Sequence, residues 1–217
     1  MQQPKALGAD QLSEKDMKSQ SMFARLRENQ AEAYKRATAI REFFDRAGVR
    51  PEDLRSAQDL SRLPVLKKEQ LLDRQRESPP FGGFLAAREE DIARIFVSPG
   101  PINEPQFMDE NDGLGFARAF AAAGIGCGDR VLNTWSYHLV PAGLLLDDGL
   151  RAVGASVIPS GTGGSETQAK LVMDIGVTCI CASTAFFVTL VETIEGLGHA
   201  LPEAWRVKTA LLGGEFG

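Results

Sequence analysis

The stretch RIFVSPGPINEPQF, Arg94 to Phe107, sets an apolar run before a serine, a glycine and a proline-framed turn. A strand entering a glycine-containing loop is the outline of a phosphate cradle. There, several backbone N–H groups and a lysine converge on oxygen atoms. The residue types here work against that use. Pro99, Pro101 and Pro105 carry no N–H, no lysine is present, and Glu104 adds negative charge. One reading is a phosphate loop, and a second is a rigid proline turn. A third lets Glu104 or Asp109 hold a cation.

A second constellation is WSYHLVPAG, Trp135 to Gly143. Trp135 and Tyr137 followed by Pro141, Ala142 and Gly143 suit either the wall of an apolar small-molecule pocket or plain strand-end core. His138 has the right acidity for a general base near neutral pH, but a lone histidine with no visible partner is more often a structural residue. Asp147 and Asp148 are adjacent, so on a helix they do not face one another, and they read as a solvated face. Cys179 and Cys181 alternate within GVTCICAS and would share one face of a strand as buried thiols. With His138 and His199 the only histidines, no metal site is expected.

These residues need elements to position them. AEAYKRATAIREFFDRAGV has the apolar spacing of an amphipathic helix, closed by Gly48 and Pro51. PEDLRSAQDLSRLP reads as short helical turns and KKEQLLDRQ as another helix. After Pro79 the texture changes. The strand candidates ARIFVS, RVLNTW, ASVIPS, VTCICAS and VKTALLG alternate with helical stretches that tend to end in glycine. This pattern predicts an α/β protein: a helical amino-terminal segment (1–78), then a parallel-rich βαβ sheet covered by helices on both faces (79–217). Before the third of these helical stretches, PSGTGG runs into SETQ. There Ser165 and Gln168 have the spacing of a capping box, and the loop lies where open α/β sheets place ligands.

The bulk numbers exclude some classes. The 217 residues carry a net charge of −5, with 43% hydrophobic and 24% charged residues. That balance argues against nucleic-acid partners. The apolar runs are too short to span a bilayer. The polar amino terminus predicts no secretory leader, and free cysteines fit a cytoplasmic protein.

Taken in order, LPVLKKEQL, PPFGGFLA, ARIFVSPGPINEP, the segment Gly128 to Gly161, SETQ, DIGVTCICAS and LLGGEFG resemble the amino-terminal half of phenylacetate–CoA ligases and the related coenzyme F390 synthetases. These are acyl-adenylate-forming, AMP-binding proteins. The resemblance implies an incomplete, amino-terminal part of an adenylate-forming ligase fold. The family uses ATP, Mg²⁺ and coenzyme A to activate a small carboxylic acid. Its later nucleotide motif and mobile lid would lie beyond Gly217. The partners implied are a small carboxylic acid and a nucleotide, with a homodimer or a separate carboxyl-terminal-half subunit as further possibilities.

The resemblance carries over residue by residue. Ser98 and Gly100 match the family's phosphate loop together with Pro105, whereas Pro99, Pro101, Ile102, Asn103 and Glu104 depart from it; Glu104 stands where the family has positive charge. The acyl-pocket candidates are Trp135, Tyr137, Ala142 and Gly143. Of these, Tyr137 and Gly143 match the family, as does Leu139, while Ala142 departs along with His138, Val140 and Pro141. A tyrosine expected after Cys181 is replaced by Ala185. The adenine-pocket candidates are Gly213, Gly214 and Glu215, followed by Phe216 in place of proline. The expectation that follows is a ligase impaired in phosphate binding, with a non-catalytic binding or assembly module and one half of a split ligase as alternatives.

Overall fold

The computed structural model describes residues 9–214, with side chains from residue 21 onward. Contacts divide the chain into two compact units. One comprises residues 1–91 with 100–103, the other residues 92–99 with 104–217.

The first unit is helical. The amphipathic stretch is not one helix but two, α1 (Ala9–Arg36) and α2 (Thr38–Ala47), broken at Ala37 in an extended conformation. The reason is tertiary. The Ala39 N–H, which an unbroken helix would direct to Lys35, donates instead to Gly83 O at 3.0 Å. α2 buries Phe44 against Val49 and Leu54 and ends at Gly48 in the left-handed region, where a glycine costs least. A short 3₁₀ turn (Pro51–Asp53) and α3 (Ala57–Leu60), capped by Ser56, lead to α4 (Lys68–Glu77). Gln75 of α4 makes a two-point amide pair with Asn103: its Nε2 donates to Asn103 O and its Oε1 accepts from Asn103 N, each at 2.8 Å.

Residues 92–107 form a two-stranded sheet, β1 (Ile92–Ser98) and β2 (Ile102–Phe107), joined across Pro99–Gly100–Pro101; all of β1 and residues 104–107 of β2 belong to the second unit. β2 has no counterpart among the strand candidates, because Pro105 and the polar run Asn103–Glu104 hide the alternation that marks a strand. After α5 (Phe116–Ala122) come β3 (Arg130–Asn133), α6 (Ala142–Ala152), β4 (Ser156–Ile158), α7 (Ser165–Ile175), β5 (Cys179–Ser183), α8 (Thr184–Gly196) and β6 (Thr209–Gly213). The four later strands form one parallel sheet in the order β4-β3-β5-β6. Its two faces are covered separately. Val131, Cys179 and Cys181 pack with Phe120, Leu146 and Leu150 of α5 and α6. Leu132 and Ile180 pack with Ala169, Val172, Leu190 and Ile194 of α7 and α8. This double coverage is why the strands are apolar on both faces.

Two further sequence expectations give way here. α7 is entered through Gly164 with no side-chain cap, and the Gln168 N–H goes to Gly164 O at 3.1 Å, so Ser165 and Gln168 form no capping box. Asp148 is not a solvated residue. It is 9% exposed and pairs with Arg94 of β1 at 2.6 Å, while Gln106 of β2 donates to it at 3.0 Å. Its neighbour Asp147 accepts from Tyr137. The helix carries both carboxylates inward because β1 and the Tyr137 segment lie against it, a contact that spacing along the helix cannot reveal.

Candidate functional site

Parallel strands leave their carboxyl ends and the loops that follow them at one edge of the sheet. There a cavity of about 520 Å³ opens in the second unit. Thr134, Trp135 and Ser136 follow β3, Val140 and Ala142 lead into α6, and Thr162 and Gly163 come from the loop after β4. Gln168, Ser183 and Phe186 complete it from α7 and the β5–α8 junction. No charged side chain lines it among the described residues.

The floor is held by strand-end hydrogen bonds. Thr134 sends both its N–H and its hydroxyl to Cys181 O, at 3.0 and 2.9 Å. Ser183 closes β5 and caps α8 by accepting from Phe186 N at 3.2 Å. Asn133, fully buried, joins three segments. Its Nδ2 donates to Tyr137 Oη at 2.8 Å and to Gly143 O at 2.9 Å. Its main-chain oxygen accepts from Gly161 N at 3.0 Å. The Tyr137 hydroxyl donates to Asp147 at 2.9 Å. Burial, reinforced by that carboxylate, pushes the phenol far above its ordinary acidity range, so Tyr137 stays neutral and serves as a donor.

The acyl-pocket candidates therefore play different parts. Trp135 and Ala142 line the cavity. Tyr137 and Gly143 stand behind it: a Cβ on Gly143 would lie 2.4 Å from Ser136 O, so only glycine lets α6 start against that carbonyl. His138 is exposed and is not among the lining residues. Leu139 adopts a left-handed conformation (φ 61°), uncommon for a residue with a side chain, and its carbonyl accepts from Val97 N of β1 at 2.8 Å.

Of the adenine-pocket candidates, Gly213 ends β6, and Gly214 lies so close to Trp135 that a Cβ would stand 2.6 Å from the indole. Glu215 lies outside the described residues. Residues 79 positions apart in sequence are thus brought together at Trp135.

The phosphate-loop candidates sit on the β1–β2 sheet. Ser98 ends β1, Glu104 lies within β2, and Gly100 occupies the turn at φ 126°. Of the three turn residues only Gly100 has an N–H. A Cβ built on Gly100 would meet Lys68 of α4, 3.7 Å from its ammonium nitrogen. Position 68 lies too far upstream for a linear motif to flag it. Among the described residues no group of three or more His, Cys, Asp or Glu is arranged to hold a metal ion.

Asn133 and the Arg94–Gln106 pair carry supporting roles that the sequence did not suggest, and Gln168 and Asp148 serve in roles other than the capping box and solvated face expected of them. Asn133 and Arg94 are polar or charged side chains inside apolar strands, the one signal that marks them; Gln106 and Gln168 lie in polar stretches and carry none.

This arrangement defines the amino-terminal part of an acyl-CoA ligase fold. Over 92% of this chain and 44% of the other, it superposes with a TM-score of 0.85 on an open conformation of 2-hydroxyisobutyryl-CoA ligase in complex with 2-HIB-AMP and CoA, at 22% sequence identity. In sequence the chain is a relative of phenylacetate–coenzyme A ligases and matches their amino-terminal part. It is 35% identical over 197 residues to the enzyme of Thermus thermophilus, covering 88% of this chain and 43% of that one. It is 32% identical over 169 residues to the Escherichia coli enzyme, covering 75% and 38%. The chain thus spans less than half the length of these curated relatives. No protein-family model matches it. No helix among the described residues is long and apolar enough to cross a membrane.

Proposed function

We propose that this chain supplies the acid-binding part of an acid–coenzyme A ligase of the phenylacetate–CoA ligase kind. The observation that carries the reading is the cavity at the carboxyl ends of β3 and β5. Its size suits a small organic acid, Trp135 and Phe186 give it aromatic walls, and Thr134, Ser136, Thr162 and Ser183 offer neutral hydrogen-bonding groups. In the reaction the carboxylate attacks the α-phosphorus of ATP, giving an acyl-adenylate and pyrophosphate. The thiol of coenzyme A then displaces AMP to form the thioester. Gly214, beside Trp135, would lie with Gly213 on the adenylate side of the acyl group.

The β1–β2 turn is the reason to expect weak triphosphate binding. A cradle needs several convergent N–H groups, and here Pro99 and Pro101 flank the single N–H of Gly100 while Glu104 repels phosphate. Calorimetric titration of the chain with phenylacetate, ATP, AMP and coenzyme A tests the proposal. Binding of phenylacetate, lost in Phe186→Ala, is expected; no heat with phenylacetate or other arylacetic acids would refute the pocket assignment. Micromolar ATP binding would refute the account of the turn. Glu104→Lys alone is expected to leave ATP binding unchanged, since the proline positions still lack their N–H groups. The same turn favours one second reading, a ligase-derived binding module without adenylation. Acid-dependent ATP–pyrophosphate exchange by the full-length gene product would exclude that module.

A further inference from the structure

Gln168 is 1% exposed, although it lies in the first turn of α7, and it forms part of the cavity wall. Its Nε2 donates to Gly161 O at 2.9 Å and to Gly163 O at 3.2 Å. Its Oε1 lies 3.3 Å from the Ser160 hydroxyl. Two carbonyl acceptors fix which end of the amide is nitrogen. The side chain is therefore occupied by the loop that follows β4 and is not free to hold a ligand.

That loop, PSGTGG, is rich in glycine and would be mobile on its own. From the opposite side it is fastened at Asn133, whose main-chain oxygen accepts from Gly161 N at 3.0 Å and lies 3.1 Å from the Ser160 hydroxyl. Gly163 approaches the Gln168 amide so closely that a Cβ would stand 3.2 Å from Nε2. The loop in turn gives Thr162 and Gly163 to the cavity.

We propose that Gln168 is a positioning residue that holds the glycine loop as a preformed wall of the cavity and so acts on ligand affinity through Thr162 and Gly163. The inference rests on reading the cavity as an acid-binding pocket. A wall ordered in advance removes part of the entropy that a ligand must otherwise overcome on binding. A residue that merely stabilised α7 would change the helix and not the loop.

The test uses the whole chain with Gln168→Glu and Gln168→Leu. Hydrogen-exchange protection is read separately for residues 160–164 and for β3 and β5, and phenylacetate affinity is read by calorimetry. Both variants are expected to lower loop protection about tenfold while the strands keep theirs, and to weaken phenylacetate binding about tenfold. In Gln168→Glu the ionised carboxylate repels two carbonyl oxygens, whereas the protonated form can donate to one. Burial and those two oxygens raise this carboxyl above the ordinary glutamate range, so the loop protection factors return in part as pH falls through that raised range, and those of Gln168→Leu do not. Gln168→Glu keeps the side chain's shape, so the test stands even if Gln168→Leu fails to fold. Unchanged loop protection, equal loss in the strands, or no pH-dependent return overturns the proposal. If the wild-type chain does not bind phenylacetate, the pocket reading falls, and the exchange data still decide whether Gln168 holds the loop.

Discussion

Replacing Gly143 by alanine is expected to destabilise the protein, although alanine is normally the better helix residue. Gly143 is the second residue of α6, where intrinsic preference favours alanine over glycine by up to ~1 kcal/mol. The tertiary contact opposes this. The new Cβ would stand 2.4 Å from Ser136 O, 2.7 Å from Ser136 C and 2.9 Å from Tyr137 Cδ2. Backbone atoms cannot rotate away as a side chain can. The Gly143 N–H to Ser136 O bond of 2.9 Å would also stretch as the segments part. Overpacking of this kind costs about 1–3 kcal/mol. The net loss should be about 1–2 kcal/mol, a fall in Tm of about 2–8 °C for a chain of this size. The control is Gly196→Ala at the end of α8, where a Cβ meets nothing within 4 Å. It should raise stability by about 0.5–1 kcal/mol. Thermal and urea unfolding of both variants gives the answer. Gly143→Ala as stable as wild type would refute the reasoning, because the close approach to Ser136 would then be no constraint. Because Ser136 lines the cavity, Gly143→Ala should also weaken acid binding, whereas Gly196→Ala should leave it unchanged.

Asp148→Ala should cost about 2–3 kcal/mol, less than a fully buried pair because Arg94 is 37% exposed and partly reached by water; a loss under ~0.5 kcal/mol in urea unfolding would show that the pair contributes little. Burial raises the Asp129 carboxyl, but hydrogen bonds from Lys208, Gly126 N and Thr178 outweigh it and hold the pKa at about 2. Its contribution is thus complete above the ordinary aspartate range and is lost as pH falls from about 4 through 2. Asp129→Asn should flatten that part of the acid unfolding curve, and an unchanged slope would count against the assignment. Burial pushes the Cys181 thiol up to about 12 and raises Cys179 as well, whereas Cys127 is exposed. An aromatic disulfide reagent should therefore titrate one of the three thiols in the native protein and all three in denaturant; rapid native reaction of all three would contradict the burial.

The sequence by itself determined the elements whose patterns are local. Strands β3 to β6 show as apolar runs, and their flanking helices show as periodic stretches ending in glycine. The order in which they alternate imposes the parallel sheet. Cys179 and Cys181 were legible as a shared buried face because strand periodicity is fixed by covalent geometry. The residues at the cavity mouth were legible in part, since Trp135 and Ala142 follow a strand end. What only the tertiary structure decided is where the polar groups inside those patterns go. Ala37 breaks a helix because Gly83 offers its neighbour a carbonyl. Asp148 leaves its expected solvated face because Arg94 and Gln106 meet it from a hairpin that the prolines concealed. Gln168 serves the glycine loop in place of the helix end, and Gly214 meets Trp135 from the far end of the chain. Side-chain hydrogen bonds satisfy whatever donor or acceptor the fold brings near, and sequence distance carries no information about that proximity. Hence the sheet could be read from residue order, and the cavity's supports could not.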